Sequence, residues 1–494
     1  MAMGRRKNER QAEMWIATGE LPQSPGHVFY ETLNGLLAES GFDAWVEEQC
    51  RPYYARMGRP GIPPGVYFRM LLIGYFEGIG SQRGMAWRCA DSLSLRKFLG
   101  LASTEESPDH SSLTVIRDRL PQEVHEAVFQ RVLTLAREKQ VLNGQTLGVD
   151  STTLEANAAM KSIVRKETGE DWQAYLTTLM REAGVIGPTD KPSLDDIKRF
   201  DQSRKDKKVS NEDWHSPVDP DSRITKMKDG TTHLAYKAEH AVDLDTEMIV
   251  AAEIYPGTQG DTHTLEDTVH AAQINLLESG SAVDVQDVVV DKGYYSADVL
   301  GTLAEHTTYR PYIAEPGLPA GQTRRWTDKP PAQRAAVYAN RRRVRGQRGR
   351  RLQRQRSERV ERTFAHVCET GGARRTWLRG IDKVRKRYLI AAAAHNLSCL
   401  MRELFGRGTP RGLQGAASLL AALLRAWQRA LISLKTLRTC PARRTTHNNS
   451  SSAYSRFHRP RLECHHQVGH FQRAARVGRA YQQSIRKSFS LLFY

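Results

Sequence analysis

Cysteine is scarce and scattered. Cys50, Cys89, Cys368, Cys399, Cys440 and Cys464 are the six in 494 residues, and no two form a CxxC pair. This argues against the disulfide framework of small secreted domains and against a thiolate zinc cage, and it predicts buried free thiols. No apolar run approaches the length of about eighteen residues that a membrane-spanning helix needs. The basic start MAMGRRKNERQAEMW is followed by no apolar stretch, so no secretory signal is expected and the cytoplasm is the default compartment. The GxxxxGK[ST] loop of an NTPase and the elbow of a serine acyl-transfer enzyme are also missing, so neither ATP nor a Ser/His/Asp triad is implied.

Acidic side chains nearly vanish from the last third. Residues 321–494 carry 39 basic and 7 acidic side chains, a net of +32, against 34 and 48 in residues 1–320, a net of −14. An asymmetry of this size points to a polyanionic partner. Eleven of the 22 residues from Arg341 to Arg362 are arginine, including Arg341, Arg342, Arg343, Arg345, Arg354, Arg356, Arg359 and Arg362. Guanidinium forks grip phosphate bidentately, so this run fits a nucleic acid better than a membrane surface. Aromatics are sparse within it, which argues against base stacking as its main device.

The length suggests about three domains. Residues 1–140 read as an all-helical domain. Apolar residues at helical spacing (Phe29, Leu33, Leu36, Leu37; Tyr67, Met70, Leu71, Tyr75) are punctuated by Gly58–Pro64, and Ser107–Ser112 reads as the cap of a further helix. The run Thr146–Thr153 reads as a buried strand with Asp150 in its middle. Polar, lysine-bearing sequence from about 155 to 225 reads as an insertion with helical patches. Period-two alternation from Leu234 to Val242, a turn at Asp243–Thr246 and Met248–Tyr255 predict a hairpin. A helix over 262–277, a strand over 288–290, a helix over 296–304 and a strand over 309–313 follow, which makes a mixed sheet with helices packed on it. Residues 314–335 read as a loop, and the segment 388–405 as a buried helix closing a domain of residues 141–410. Residues 411–494 read as a basic extension, amphipathic at first and disordered from Thr439. Within it Cys464, His465, His466 and His470 form a weak metal candidate.

Three carboxylates stand out by position: Asp150 inside a core strand, Asp291 at the carboxyl end of another, and Glu361 on a helix amid arginines. Buried carboxylates are costly unless paired, capping or metal-bound. Three converging on one sheet edge would repel one another and call for divalent cations, for which hard oxygen ligands favour Mg²⁺. His240, Asp261 and His263 rank lower, as structural residues.

Several extended motifs, GRPGIPPGVYFRMLLIGYFEG, SPDHSSLTVIRDRL, GVDSTTLEANA, VVVDKGYYS and VERTFAHVCETGG with RRTWLRG, resemble the DDE transposases of bacterial insertion sequences over about residues 27–412. The resemblance implies an α+β chain: a helical N-terminal domain that binds DNA ends, then an RNase H-like catalytic core with a helical insertion. It also implies that Asp150, Asp291 and Glu361 bind two Mg²⁺ ions, with Mn²⁺ as a substitute. The reaction is cutting at transposon ends and joining the 3′-hydroxyls to target DNA. Lys292 and the arginines would contact double-stranded DNA, in a homodimer or larger synapse associated with the nucleoid. Relatives carry tyrosine, arginine and lysine around the glutamate where this chain has Arg354, Ser357 and Cys368. Glu358 is the rival third acid, four residues after Arg354, but Val360 and Phe364 favour Glu361. A nuclease without strand joining, or a DNA-binding remnant, are the alternative functions.

Overall fold

A computed structural model of the chain describes residues 27–410 apart from 59–60, 103, 206–209, 228–229 and 318–324. The expectations for residues 411–494, including the Cys464–His470 cluster, lie outside the described residues. The described chain opens with helices α1 (Val28–Glu39), α2 (Phe42–Cys50), α3 (Pro64–Glu77), α4 (Gln82–Asp91), α5 (Leu93–Phe98), α6 (His110–Arg119) and α7 (Gln122–Glu138). Their boundaries follow from local chemistry. Pro64 opens α3 where its missing N–H costs nothing, and Gly78 ends it with a φ of 71°. The Asp109 carboxylate accepts the Ser111 N–H to cap α6. Every residue of α3 from Gly65 to Phe76 is buried. The one charge among them, Arg69, is held by Asp43 at 2.7 and 2.8 Å.

The strand β1 (Thr146–Glu155) follows, and then an insertion made of β2 (Val164–Arg165), α8 (Trp172–Glu182), α9 (Leu194–Ser203) and β3 (Trp214–His215). The insertion has its own small core of Leu176, Met180 and Ile197. The chain then runs through β4 (Arg223–Lys226), β5 (Thr232–Asp243), β6 (Ile249–Pro256), α10 (Asp261–Glu278), β7 (Asp287–Val290), α11 (Ala297–His306) and β8 (Arg310–Ile313). It continues through α12 (Pro331–Arg345), α13 (Gln347–Phe364) and α14 (Ile381–Phe405).

One mixed sheet carries β6, β5, β1, β7 and β8 in that order, with β4 sharing the outer edge of β5. β7 is parallel to β1 and β8, whereas β5 is antiparallel to β1. Leu147 and Val149 of β1 pack with α10 and α11 in one core, while Leu154 and the β5 residues Ala238 and Val242 join the core of α13 and α14. Helices followed by a mixed sheet covered on both faces is the α+β, RNase H-like organisation that the sequence motifs imply.

The arginine run departs from expectation in one respect. The loop was expected to reach residue 335, yet α12 already starts at Pro331, where proline presets the helical φ. The arginines therefore sit on two helices, separated at Gly346. The last helix ties the halves together: α14 packs on α3 and α7 as well as on β6. Its Asn396 accepts the Ile249 N–H at 2.8 Å and donates to the Ile249 carbonyl at 2.7 Å, beside the register shift between β5 and β6. That satisfies backbone groups which the bulge leaves out of the ladder. The described cysteines, Cys50, Cys89, Cys368 and Cys399, are free and buried, and no described helix is long and apolar enough to cross a membrane.

Candidate active site

The register of the two central parallel strands brings two of the three acids together. Thr146 lies opposite Asp287, Leu147 opposite Val288 and Gly148 opposite Val289. The ladder ends there, and Asp150 and Asp291 each lie two residues further along these two neighbouring strands. Asp291 is the first residue beyond β7, and its Oδ1 accepts the Gly293 N–H at 2.7 Å. The Oδ1 of Asp150 accepts the Ser151 N–H at 2.8 Å, and its Oδ2 lies 2.7 Å from Nη1 of Arg356.

Helix α13 crosses the strands over this point. Its buried residues Leu352, Arg356, Val360, Thr363 and Phe364 recur at helical spacing and face the sheet. Glycine at 148 permits the approach, because a Cβ there would stand 2.8 Å from Val360 Cγ2 and 3.1 Å from Arg356 Cγ. Before the crossing, Gln353 donates to the Val290 and Tyr312 carbonyls at the carboxyl ends of β7 and β8. After it, Phe364 stacks on His240 at 4.1 Å. The flanks of the helix differ. Arg348 pairs with Asp287 at the amino end of β7, and Arg362 pairs with Glu247 in the β5–β6 turn, so that flank faces the amino ends. At about 100° per residue, Arg350, Arg354, Ser357 and Glu361 share the other flank, on the side where Gln353 meets the carboxyl ends of β7 and β8. Ser357 donates to Glu361 at 3.1 Å. Glu358 projects away from the sheet and accepts from Arg362 at 2.6 Å.

The arginines divide into two groups. Arg341 is held by Glu315 at 2.6 Å, Arg343 donates to the Pro311 carbonyl at 3.0 Å, and Arg356 and Arg362 are paired as above. Arg342, Arg345, Arg350, Arg351 and Arg354 are exposed, as is Lys292, while Arg359 is half-buried. The pairing of Arg356 with Asp150 was missed, although an arginine in an otherwise apolar stripe was a visible sign of it.

His240 is fully buried, with its Nδ1 2.9 Å from Thr363 Oγ1 and its Nε2 2.9 Å from the Tyr388 hydroxyl. Burial holds its pKa well below the ordinary histidine value, so it is a neutral packing residue. His263 is exposed. Asp261 is another matter: its Oδ1 accepts from Ser151 Oγ at 2.9 Å, next in sequence to Asp150.

Among the described residues no three His, Cys, Asp or Glu side chains are gathered into a ready-made metal cage. Adjacent Asp150 and Asp291 nevertheless suit Mg²⁺, which takes hard oxygens, keeps several waters and is commonly held by one or two carboxylates plus substrate phosphates. Arg356 meanwhile supplies Asp150 with positive charge from the protein itself.

Two family comparisons match the chain. Residues 21–119 match a transposase domain (DUF772), the region of α1 to α6, and residues 203–397 match a transposase DDE domain, which runs from the end of α9 into α14. No curated protein and no solved structure matches the chain.

Proposed function

From the premise that the chain belongs to the DDE-type insertion-sequence transposases, we propose that it cuts DNA at the ends of its element and joins the freed 3′-hydroxyls to target DNA. The observation that supports the reading is the pairing of β1 with β7, whose shared register, carried two residues past its last pair, leads to Asp150 and Asp291 beneath α13. Asp150 and Asp291 would hold the divalent cations, with Glu361 reaching in from the facing flank of α13. Bound there, two such ions activate the attacking oxygen and neutralise the leaving one. The chain's own residues do the rest. Gly293 N–H fixes the Asp291 carboxylate, and Ser357 orients Glu361. Exposed Arg350 and Arg354, on the same flank as Glu361, lead the phosphate backbone toward the acids, and Lys292 stands beside Asp291. The helices α1 to α7 would hold the terminal repeats, and two DNA ends require a dimer or larger synapse.

The test is Mg²⁺-dependent cleavage and strand transfer on DNA bearing the element's ends. Wild type is compared with Asp150→Ala, Asp291→Ala, Glu361→Ala and Glu358→Ala. Joined products should be lost in the first three and kept in Glu358→Ala. Cleavage without joined product in wild type would make the protein a nuclease. Binding without chemistry would make it a DNA-binding protein, and either result overturns the proposal.

A further inference from the structure

On the face of the sheet opposite α13 lies a buried ionic group that the chemistry above does not use. Lys237 and Glu239 alternate along β5 and are 4% and 0% exposed. The Lys237 ammonium lies 2.8 Å from Asp261 Oδ1 and 3.3 Å from Glu239 Oε1, and donates to Thr264 Oγ1 at 2.7 Å. Glu239 accepts from Thr264 at 2.8 Å, from the Tyr294 hydroxyl at 2.6 Å and from Thr268. Apolar side chains would fill this space without the desolvation cost of burying Lys237 and Glu239 and half-burying Asp261, so packing alone does not account for the group.

What the group touches suggests what it does. Through Oδ1, Asp261 holds Ser151, whose own N–H holds Asp150. The other oxygen of Asp261 is turned toward the turn after β7: a Cβ on Gly293 would meet Asp261 Oδ2 at 2.9 Å and Asp291 Oδ1 at 3.0 Å. A larger residue there would have to push one of the two carboxylates aside. Tyr294, the next residue, is anchored on Glu239. Asp261 thus reaches both acid-bearing segments at once, and Lys237 fixes Asp261.

We propose that Asp261 is a positioning residue for Asp150 and Asp291, anchored by Lys237, and that the pair sets the spacing of the two acids before any cation binds. Carboxylates on neighbouring strand ends repel, and a loop carrying one of them would relax away from the other. The lysine compensates for the additional negative charge of Asp261 behind them. This inference rests on the reading of Asp150 and Asp291 as cation ligands.

The experiment is calorimetric titration of Mn²⁺ into the full chain without DNA, alongside thermal melts with and without Mn²⁺. Lys237→Met and Asp261→Asn are compared with wild type and Asp150→Ala. Groups that orient metal ligands typically contribute about 10–100-fold in metal affinity, and a loss of that size is expected in both variants, with a smaller Mn²⁺-induced rise in melting temperature. Asp261 is about one-third exposed, so Asp261→Asn carries the test if Lys237→Met does not fold. A folded Asp261→Asn that binds Mn²⁺ within twofold of wild type overturns the inference and leaves the site reading standing. Wild type that binds Mn²⁺ no better than Asp150→Ala overturns both.

Discussion

Gly148→Ala should do damage out of proportion to one methyl group. The new Cβ would lie 2.6 Å from Leu244 Cδ2, 2.8 Å from Val360 Cγ2 and 3.1 Å from Arg356 Cγ. Carbon atoms prefer about 3.5–4.0 Å, so two contacts fall short by about 0.7 Å or more. Leu244 and Val360 are 1% and 0% exposed, so neither can swing out into solvent. Overpacking of this kind costs about 1–3 kcal/mol. The easiest relief is for α13 to lift from β1, which would carry Glu361 away from Asp150 and Asp291, so strand transfer should fall by more than the stability loss explains. Val360→Ala alone removes two buried methyl-sized groups at about 0.8 kcal/mol each, plus a cavity. In the double variant the added methyl occupies part of the vacated space, so the two losses should combine to less than their sum by about 1 kcal/mol. Urea unfolding of the four proteins measures this coupling. Losses that add within about 0.5 kcal/mol would refute the claim that Gly148 is there to admit α13.

Acid should weaken the fold through its buried histidines, offset only in part by Glu253, whose carboxyl burial pushes up to about 7. Burial pushes His125 down to about 4 and His395 to about 3, and holds His240 well below its ordinary value. Unfolded histidines titrate near 6.5, so below that pH the unfolded chain takes up more protons and stability falls, continuing until the folded-state values are reached. For His125 alone this is on the order of 3 kcal/mol. Urea midpoints should drop between pH 7 and 5, and less so in His125→Gln; an unchanged midpoint would count against neutral buried imidazoles. For DNA binding, Arg350→Ala and Arg354→Ala should each reduce the slope of log affinity against log salt by about one. Arg341→Ala, whose guanidinium is held by Glu315, should leave the slope unchanged; equal slopes for all three would remove the distinction between the exposed and the internally paired arginines.

Much of this fold was legible because its periods are clean. The helices of residues 28–138 and the β5–β6 hairpin follow apolar spacing, and Asp150 and Asp291 stood out as acids in apolar strands. Their juxtaposition was not legible, since strand register depends on pairing between segments far apart in sequence. The alternation of β5 gave no sign of what covers its other face: α10 packs there, and Lys237 pairs with Glu239 and Asp261 beneath it. For the same reason Asp261 ranked as an ordinary structural acid. The arginine run was legible as charge but not as geometry: only the flanks of α13 distinguish Arg350 and Arg354 from Arg356 and Arg362.

The sharing of α14 between the early helices and the sheet has a consequence for how the protein is made. α7, the later of the pair with α3, leaves the ribosome about 240 residues before the helix that covers both begins. At roughly 5–20 residues per second, they wait some 10–50 s with an apolar face uncovered. Until then the nascent chain holds an unfinished core, vulnerable to chaperone capture and proteolysis. A chain cut short ahead of residue 381 would stay in that state, so premature termination should yield substrate for degradation and not a free helical fragment.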